Sequence, residues 1–294
     1  MKILLLGRDG QLGTDLNEIL LRELVPQGVE LSSYGLEDLD ISDFEHLQAV
    51  INDEKPELII NAAAYTAVDK AESEPELVAS VNAEAPAVMA KAASALNAGI
   101  IHYSTDYVFD GSATQPYTEE DQTNPESVYG KTKLDGENAV LAHCNNSLVL
   151  RTSWVYSMHG QNFLRTMLRL AAERDELTVV GDQYGSPTTT RALADATLKL
   201  VQYFLINEKF ADELSGVYHM TCGGQASWYE FARSIIAASE FADTRVVDIT
   251  TADYPTAAKR PAYSVLSNNK LYDTFGIRLP DWETALSQCM QQTD

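Results

Sequence analysis

Short, uninterrupted apolar runs punctuate the first half of this chain, separated by longer stretches in which apolar residues return every third or fourth position. Residues 3–6, Leu58–Asn61, 100–104 and Ser147–Thr152 are such runs, the first of them closed by Gly7. Runs this short, bounded by turn signals, predict strands buried on both faces, as in a parallel sheet. Between the first two, Leu12, Leu16, Ile19, Leu20 and Leu24 recur at helical spacing, which turns one side of a helix toward the sheet.

The same pattern predicts a second strand over 29–33 and a helix that opens at Ser42-Asp43-Phe44-Glu45, read as a capping box with Ser42 as the cap, and ends at Pro56. An alanine-rich helix is expected over 79–98 and another over 128–142. Strands alternating with helices in this way are βαβ units. The fold class is therefore α/β, a doubly wound parallel Rossmann sheet over residues 1–153. After Trp154 the alternation loosens, with turn-rich stretches at 157–162, 181–190 and 255–269. Residues 154–294 are expected to form mainly a smaller C-terminal substrate-binding lobe over the carboxyl edge of the sheet, where ligands bind in such folds. A helix near 188–206 is assigned back to the Rossmann domain.

Composition narrows the ligand. With 21 basic and 43 acidic side chains the formal charge is −22, and no basic run offsets it, which argues against a nucleic-acid partner. No apolar run approaches membrane-spanning length. Three dispersed cysteines, Cys144, Cys222 and Cys289, suggest neither a disulfide framework nor a zinc site; a cytoplasmic protein is expected. The five histidines show no ligand spacing.

Gly7-Arg8-Asp9-Gly10-Gln11-Leu12-Gly13 lies between the first strand and the first helix. Gly7 suits a tight turn, Gly10 lets the backbone approach a pyrophosphate, and Gly13 lets helix and sheet pack closely, so a dinucleotide is the expected ligand. An acidic residue at the tip of the second strand would select NAD, but that tip reads Ser32-Ser33-Tyr34. NADPH and NADH both fit, with the balance toward NADPH. Asp40 is a candidate acceptor for the adenine amino group. Asn61-Ala62-Ala63-Ala64 ends its strand with small side chains, leaving room for a cofactor across the sheet edge.

Tyr129 and Lys133 are four residues apart on one helix face. A phenol titrates near pH 10, and a cation one turn away is expected to lower that value and make the pair a proton-transfer unit for a carbonyl. Ser104-Thr105-Asp106 closes the preceding strand, and Thr105 is expected to hydrogen-bond the reacting oxygen. Arg260 and Asn162 are candidates for the diphosphate or nucleotide end, since an arginine forks well onto phosphate oxygens.

Taken in order, the glycine turn, residues 61–64, Ser104-Thr105-Asp106-Tyr107-Val108-Phe109-Asp110 and Tyr129-Gly130-Lys131-Thr132-Lys133 resemble the extended short-chain dehydrogenase/reductase superfamily. Tyr65-Thr66-Ala67-Val68-Asp69-Lys70-Ala71-Glu72, Arg151-Thr152-Ser153-Trp154-Val155-Tyr156, Asp182-Gln183-Tyr184-Gly185-Ser186-Pro187-Thr188 and Arg260-Pro261 are similar to the dTDP-4-dehydrorhamnose reductase family within it. The resemblance implies reduction of the 4-keto group of dTDP-4-dehydro-β-L-rhamnose to dTDP-L-rhamnose, a precursor of bacterial surface polysaccharide. It implies Tyr129 as proton donor and Lys133 on the nicotinamide ribose. Thr105, Asp106 and Trp154 would meet the sugar nucleotide, and Gly10, Gln11, Leu12, Asp40, Ile41, Ala64, Tyr65 and Thr66 the cofactor.

Some relatives are described as dimers joined through glutamates and magnesium. Asp15 and Arg191 stand at the corresponding positions here; an arginine ligates no cation, so no metal is expected, and monomer and homodimer both stay open. Two further functions stay open as well. A nucleotide-sugar 4-epimerase would use the same Tyr/Lys pair without net consumption of cofactor, and a non-catalytic regulatory subunit of a methionine adenosyltransferase would keep the framework without turnover. A 4,6-dehydratase is disfavoured because Asp106 is followed by Tyr107 rather than by a glutamate.

Overall fold

The computed structural model describes residues 1–210 and 212–291. The first half runs β1 (Lys2–Leu6), α1 (Gln11–Glu23), β2 (Glu30–Tyr34), α2 (Phe44–Glu54), β3 (Leu58–Asn61), the short helices α3 (Val68–Ala71) and α4 (Pro75–Ala79), α5 (Ala85–Ala95), β4 (Gly99–Thr105), α6 (Val128–His143) and β5 (Ser147–Thr152). The second half adds β6 (Val155–Tyr156), α7 (Phe163–Glu173), β7 (Glu176–Val180), β8 (Tyr184–Gly185), β9 (Thr188–Thr189), α8 (Thr190–Asn207), β10 (Gly216–His219), β11 (Ala226–Ser227), α9 (Trp228–Ala237), β12 (Arg245–Ile249), α10 (Asn269–Phe275) and α11 (Trp282–Met290).

Six strands form one parallel sheet in the order β10-β5-β4-β3-β1-β2. Successive residues of its strands feed opposite cores, which is why they read as unbroken apolar runs. Ile3, Leu5, Leu58, Ile60, Ile101 and Leu148 pack toward α1 and α8. Leu4, Leu6, Ile59, Ile100 and Val149 pack toward α2 and α5 on the other face.

Two elements beyond residue 153 join this layer: α8, which packs on α1, and β10, which pairs with β5. The small sheets β7/β12, β8/β11 and β6/β9 belong to the later part of the chain, together with α7 and α9. The last three residues of the expected lobe lie outside the described residues.

Two local readings are corrected. The cap of α2 is Asp43, whose carboxylate accepts from the His46 backbone N–H, and Ser42 instead turns back onto Asp40. The expected single helix over 79–98 is α4, then a π-helical stretch at Ser80–Glu84, then α5. One inserted residue per π turn rotates the segment and turns Asn82 inward, a rearrangement that periodicity does not reveal.

Candidate active site

Strand order reverses between β1 and β3, and the crevice at the carboxyl ends of these two strands is where such sheets bind nucleotides. Gly7 sits there at φ +86°, and a Cβ on it would come within 2.6 Å of the Ala63 nitrogen, so only glycine lets the turn lie against the end of β3. A Cβ on Gly13 would lie 1.9 Å from the Gly7 carbonyl oxygen, which fixes α1 tightly on the turn. Gly10 caps α1 without a side-chain hydrogen bond and no acidic residue occupies the first turn. The amides of that turn are therefore available to a pyrophosphate. The residues present fit a dinucleotide.

Asn61 and Asn82 hold the other wall. The Asn61 side chain accepts from the Ala63 N–H at 3.1 Å, and its amide donates to Nδ1 of buried His102 at 3.0 Å. Asn82, only 1% exposed, accepts from the Tyr65 N–H at 2.9 Å and donates to the Tyr65 carbonyl at 3.1 Å. Residues 62–65 are thus pinned at both ends.

The candidate reactive groups meet at the end of β4. A Cβ on Gly130 would lie 2.2 Å from the Tyr107 carbonyl oxygen, so this glycine allows the first turn of α6 to press on the turn after Thr105. The rings of Tyr107 and Tyr129 meet edge to face, with centroids 5.6 Å apart. Ser127 caps α6, and the Glu72 carboxylate accepts from the Val128 N–H at 2.8 Å. Thr105 donates to Asp106 at 3.0 Å and draws the Tyr129 phenol toward ionisation, but burial outweighs it and pushes the phenol above its ordinary value. Burial also pushes the Asp106 carboxyl up to about 6, against the opposing pull of the Ser264 and Thr105 hydroxyls. Its Oδ2 is buried without a partner among the described residues. Arg260 donates to Asp69 at 2.6 Å and to the Tyr107 hydroxyl at 3.3 Å, bringing a cation to the same rim.

The sequence profile of the RmlD substrate binding domain family matches residues 1–294. The chain belongs to this family. A dTDP-4-dehydrorhamnose reductase of Burkholderia thailandensis is 44% identical to it, over 99% of this chain and 98% of that one. The crystal structure of a dTDP-4-dehydrorhamnose reductase from Clostridium acetobutylicum aligns at a TM-score of 0.91 with 41% identity, covering 99% of this chain and 98% of that chain. The Bacillus anthracis enzyme of the same name, in complex with NADP, aligns at 0.89 with 35% identity over 99% of each chain.

Within this RmlD-family chain, Tyr129, Thr105, Asp106 and Arg260 come together. Lys133 lies beneath them, 2% exposed, but its ammonium donates to the Tyr103 carbonyl at 2.6 Å. The expectation that Lys133 lowers the phenol's pKa is overturned in this arrangement: the phenol moves up, because desolvation dominates and the ammonium is directed at a backbone oxygen.

Gly7, Gly10, Gln11, Leu12, Ala63, Ala64, Tyr65 and Thr66 sit on the two walls of the crevice, at the glycine turn and after β3. Asp40 is exposed and turned onto Ser42, and Ile41 is buried in the core on the α2 side. Asn162 does not join Arg260. It caps α7 through the Arg165 N–H and donates to Gln11 Oε1 at 2.9 Å, so it holds the 157–162 loop over the glycine turn. His159 helps, donating from Nε2 to the Gln11 carbonyl at 2.9 Å.

Trp154 adopts φ +47° and stacks on Trp228, with centroids 3.4 Å apart. A Cβ on Gly185 would reach that indole at 2.4 Å. Left-handed backbone at a bulky residue costs of order 1–3 kcal/mol and persists where the surroundings enforce it.

Sequence reasoning missed Asn82, Asp69, Trp228 and Arg8. Arg8 reaches the tip of β2, donating to the Ser33 carbonyl at 2.9 Å and to Asp38 at 2.6 Å, with Asp9 at 3.1 Å. Its place inside the glycine turn was the available signal, because that turn adjoins β2. Arg191 pairs loosely with Glu18 and Asp195, both at 3.5 Å. Among the described residues no three His, Cys, Asp or Glu side chains cluster as a metal site, and no helix is long and apolar enough to cross a membrane.

Proposed function

We propose that the chain reduces the 4-keto group of dTDP-4-dehydro-β-L-rhamnose to dTDP-L-rhamnose with NADPH or NADH, supplying a precursor of surface polysaccharide. The observation that carries this reading is the Tyr129 phenol at the carboxyl rim of β4, beside Thr105 and Asp106 and separated by β3 from a glycine crevice shaped for a dinucleotide. When bound, the nicotinamide supplies a hydride to the carbonyl carbon. Gly7, Gly10, Gln11, Leu12 and Ala63–Thr66 would hold the cofactor, with Lys133 toward its ribose.

Tyr129 delivers its proton to the oxygen of the reduced carbon, and the nearby Lys133 ammonium eases the cost of the phenolate that remains without reversing the effect of burial. Thr105 positions that oxygen through its hydroxyl. Asp106 Oδ2, which lacks a protein partner, accepts from a sugar hydroxyl. Arg260, already oriented by Asp69, meets the diphosphate, and the Trp154–Trp228 stack flanks the sugar nucleotide. The division into a Rossmann domain over 1–153 and a substrate lobe mainly over 154–294 assigns these two halves of the site, with α8 and β10 serving the former. Three buried free cysteines suit a reducing cytoplasm.

The test is the fall in 340-nm absorbance when purified chain meets NADPH and dTDP-4-dehydrorhamnose. One cofactor oxidised per dTDP-rhamnose formed is expected. Interconversion of sugars without cofactor loss would indicate an epimerase, and no turnover a binding subunit.

A further inference from the structure

Behind the Tyr129–Lys133 pair lies an ion pair that the proposed chemistry does not use. Glu137 stands one further turn along α6 and is 1% exposed. Its Oε1 accepts from Ser104 Oγ at 2.5 Å and from Arg151 Nε at 2.9 Å, and its Oε2 accepts from Arg151 Nη2 at 2.7 Å. Arg151 belongs to β5 and is 4% exposed, with Nη1 lacking a partner and the guanidinium 5.2 Å from the Phe109 ring centroid. A buried ion pair is poor evidence of added stability, since desolvation cancels most of its attraction. Its location therefore calls for another reason.

We propose that the Glu137–Arg151 pair is a positioning unit for Lys133: it ties the Lys133 turn of α6 to the β4 rim through Ser104 and places a balanced charge beside the lysine, so that the ammonium persists in the buried site. This inference rests on the reductase reading above and deepens it.

Among the described residues, Lys133 makes one hydrogen bond, to a backbone carbonyl, and has no carboxylate within salt-bridge distance. Around it lie Tyr129 and Glu137 on its own helix and His102 on β4, a neutral imidazole that burial and the Lys133 charge hold well below its ordinary value. Arg151 follows on β5. Beyond it, His219 on β10 is kept neutral by burial and by Arg151, and the half-buried Glu119 carboxylate accepts from the His219 N–H at 2.7 Å. Burial pulls Lys133 down to about 8, and Glu137 is the group that opposes it. Loss of Glu137 alone would leave Arg151 uncompensated behind the lysine. Loss of Arg151 alone would leave the carboxylate to it.

The two single variants therefore have opposite signs. In a pH profile of kcat/KM for NADPH-dependent reduction, the high-pH limb should move to lower pH by about one unit in Glu137→Gln and to higher pH by a similar amount in Arg151→Gln. A merely structural role would not give opposite signs, because each substitution weakens the same Glu137–Arg151 contact. Limbs that do not move, or that move in the same direction, overturn the proposal, and a single variant that folds decides by its sign. If both singles fail to fold, Glu137→Gln/Arg151→Gln replaces one neutral pair by another and should superimpose on the wild-type profile; a displacement above half a unit overturns the idea. Turnover by the wild type in the same assay tests the reductase reading separately.

Discussion

Replacing Asp106 by asparagine should make the protein more stable at neutral pH while impairing it as a catalyst. The Asp106 carboxyl is 2% exposed and is pushed from its ordinary 3.8 to about 6 by burial. The folded chain thus holds this proton more tightly than the unfolded chain does. Stability contributed by the group is intact at low pH, falls as pH rises between about 4 and about 6, and is constant above. A displacement of roughly two pH units costs about 3 kcal/mol once both states are ionised. The Asp106→Asn variant avoids that cost and keeps an acceptor for Thr105. Its amide group, however, takes the place of Oδ2, which has no partner, and a partnerless buried donor costs about 1–2 kcal/mol. The net gain at pH 7 is about 1–2 kcal/mol, or a few degrees in Tm for a chain of this size. Linkage makes the gap shrink by roughly 1 kcal/mol on going from pH 7 to pH 5. Thermal unfolding followed by circular dichroism at several pH values reads both quantities. A variant less stable than wild type at pH 7, or a gap of the same size at pH 5 and pH 7, would refute the reasoning.

Gly7→Ala forces a side chain into left-handed backbone and against Ala63, and should cost at least about 2 kcal/mol in urea unfolding and abolish NADPH binding; a variant that binds normally would contradict the role of the turn. Arg8→Gln removes the cation at the tip of β2 and should weaken NADPH at least about tenfold while changing NADH little, measured as Kd by cofactor fluorescence. Equal loss for both cofactors would exclude Arg8 as a reader of the 2′-phosphate. Asp69→Asn unties Arg260, whose bond to Asp69 is 2.6 Å, and should raise KM for the nucleotide sugar several-fold with kcat nearly unchanged; a loss confined to kcat would point to the reacting centre instead.

Much of this was legible because parallel strands buried on both faces leave unbroken apolar runs. Leu58–Asn61 and Ser147–Thr152 were read with the bounds the structure has. By contrast, β10 reads Gly-Val-Tyr-His and depends on pairing with β5, a partner far away in sequence. The placement of Tyr129, Thr105 and Asp106 was readable because they sit at a strand end and one helix start. The direction of Lys133 was not, since its acceptor is a backbone carbonyl, which no side-chain pattern encodes. Asn162 shows a related limit of the sequence: its type suits a ligand, and its partners in the structure are Gln11 and the cap of α7. Asn82 was hidden by the π-helical turn that rotates it inward.

The central claim is that one phenol, kept protonated by burial, finishes the reduction. Tyr129→Phe keeps the ring packed edge to face on Tyr107 and removes only the proton, so kcat for NADPH oxidation with dTDP-4-dehydrorhamnose should fall by about 10²–10⁴ while the Kd for NADPH stays within twofold of wild type. Equal turnover by the two proteins would contradict the account.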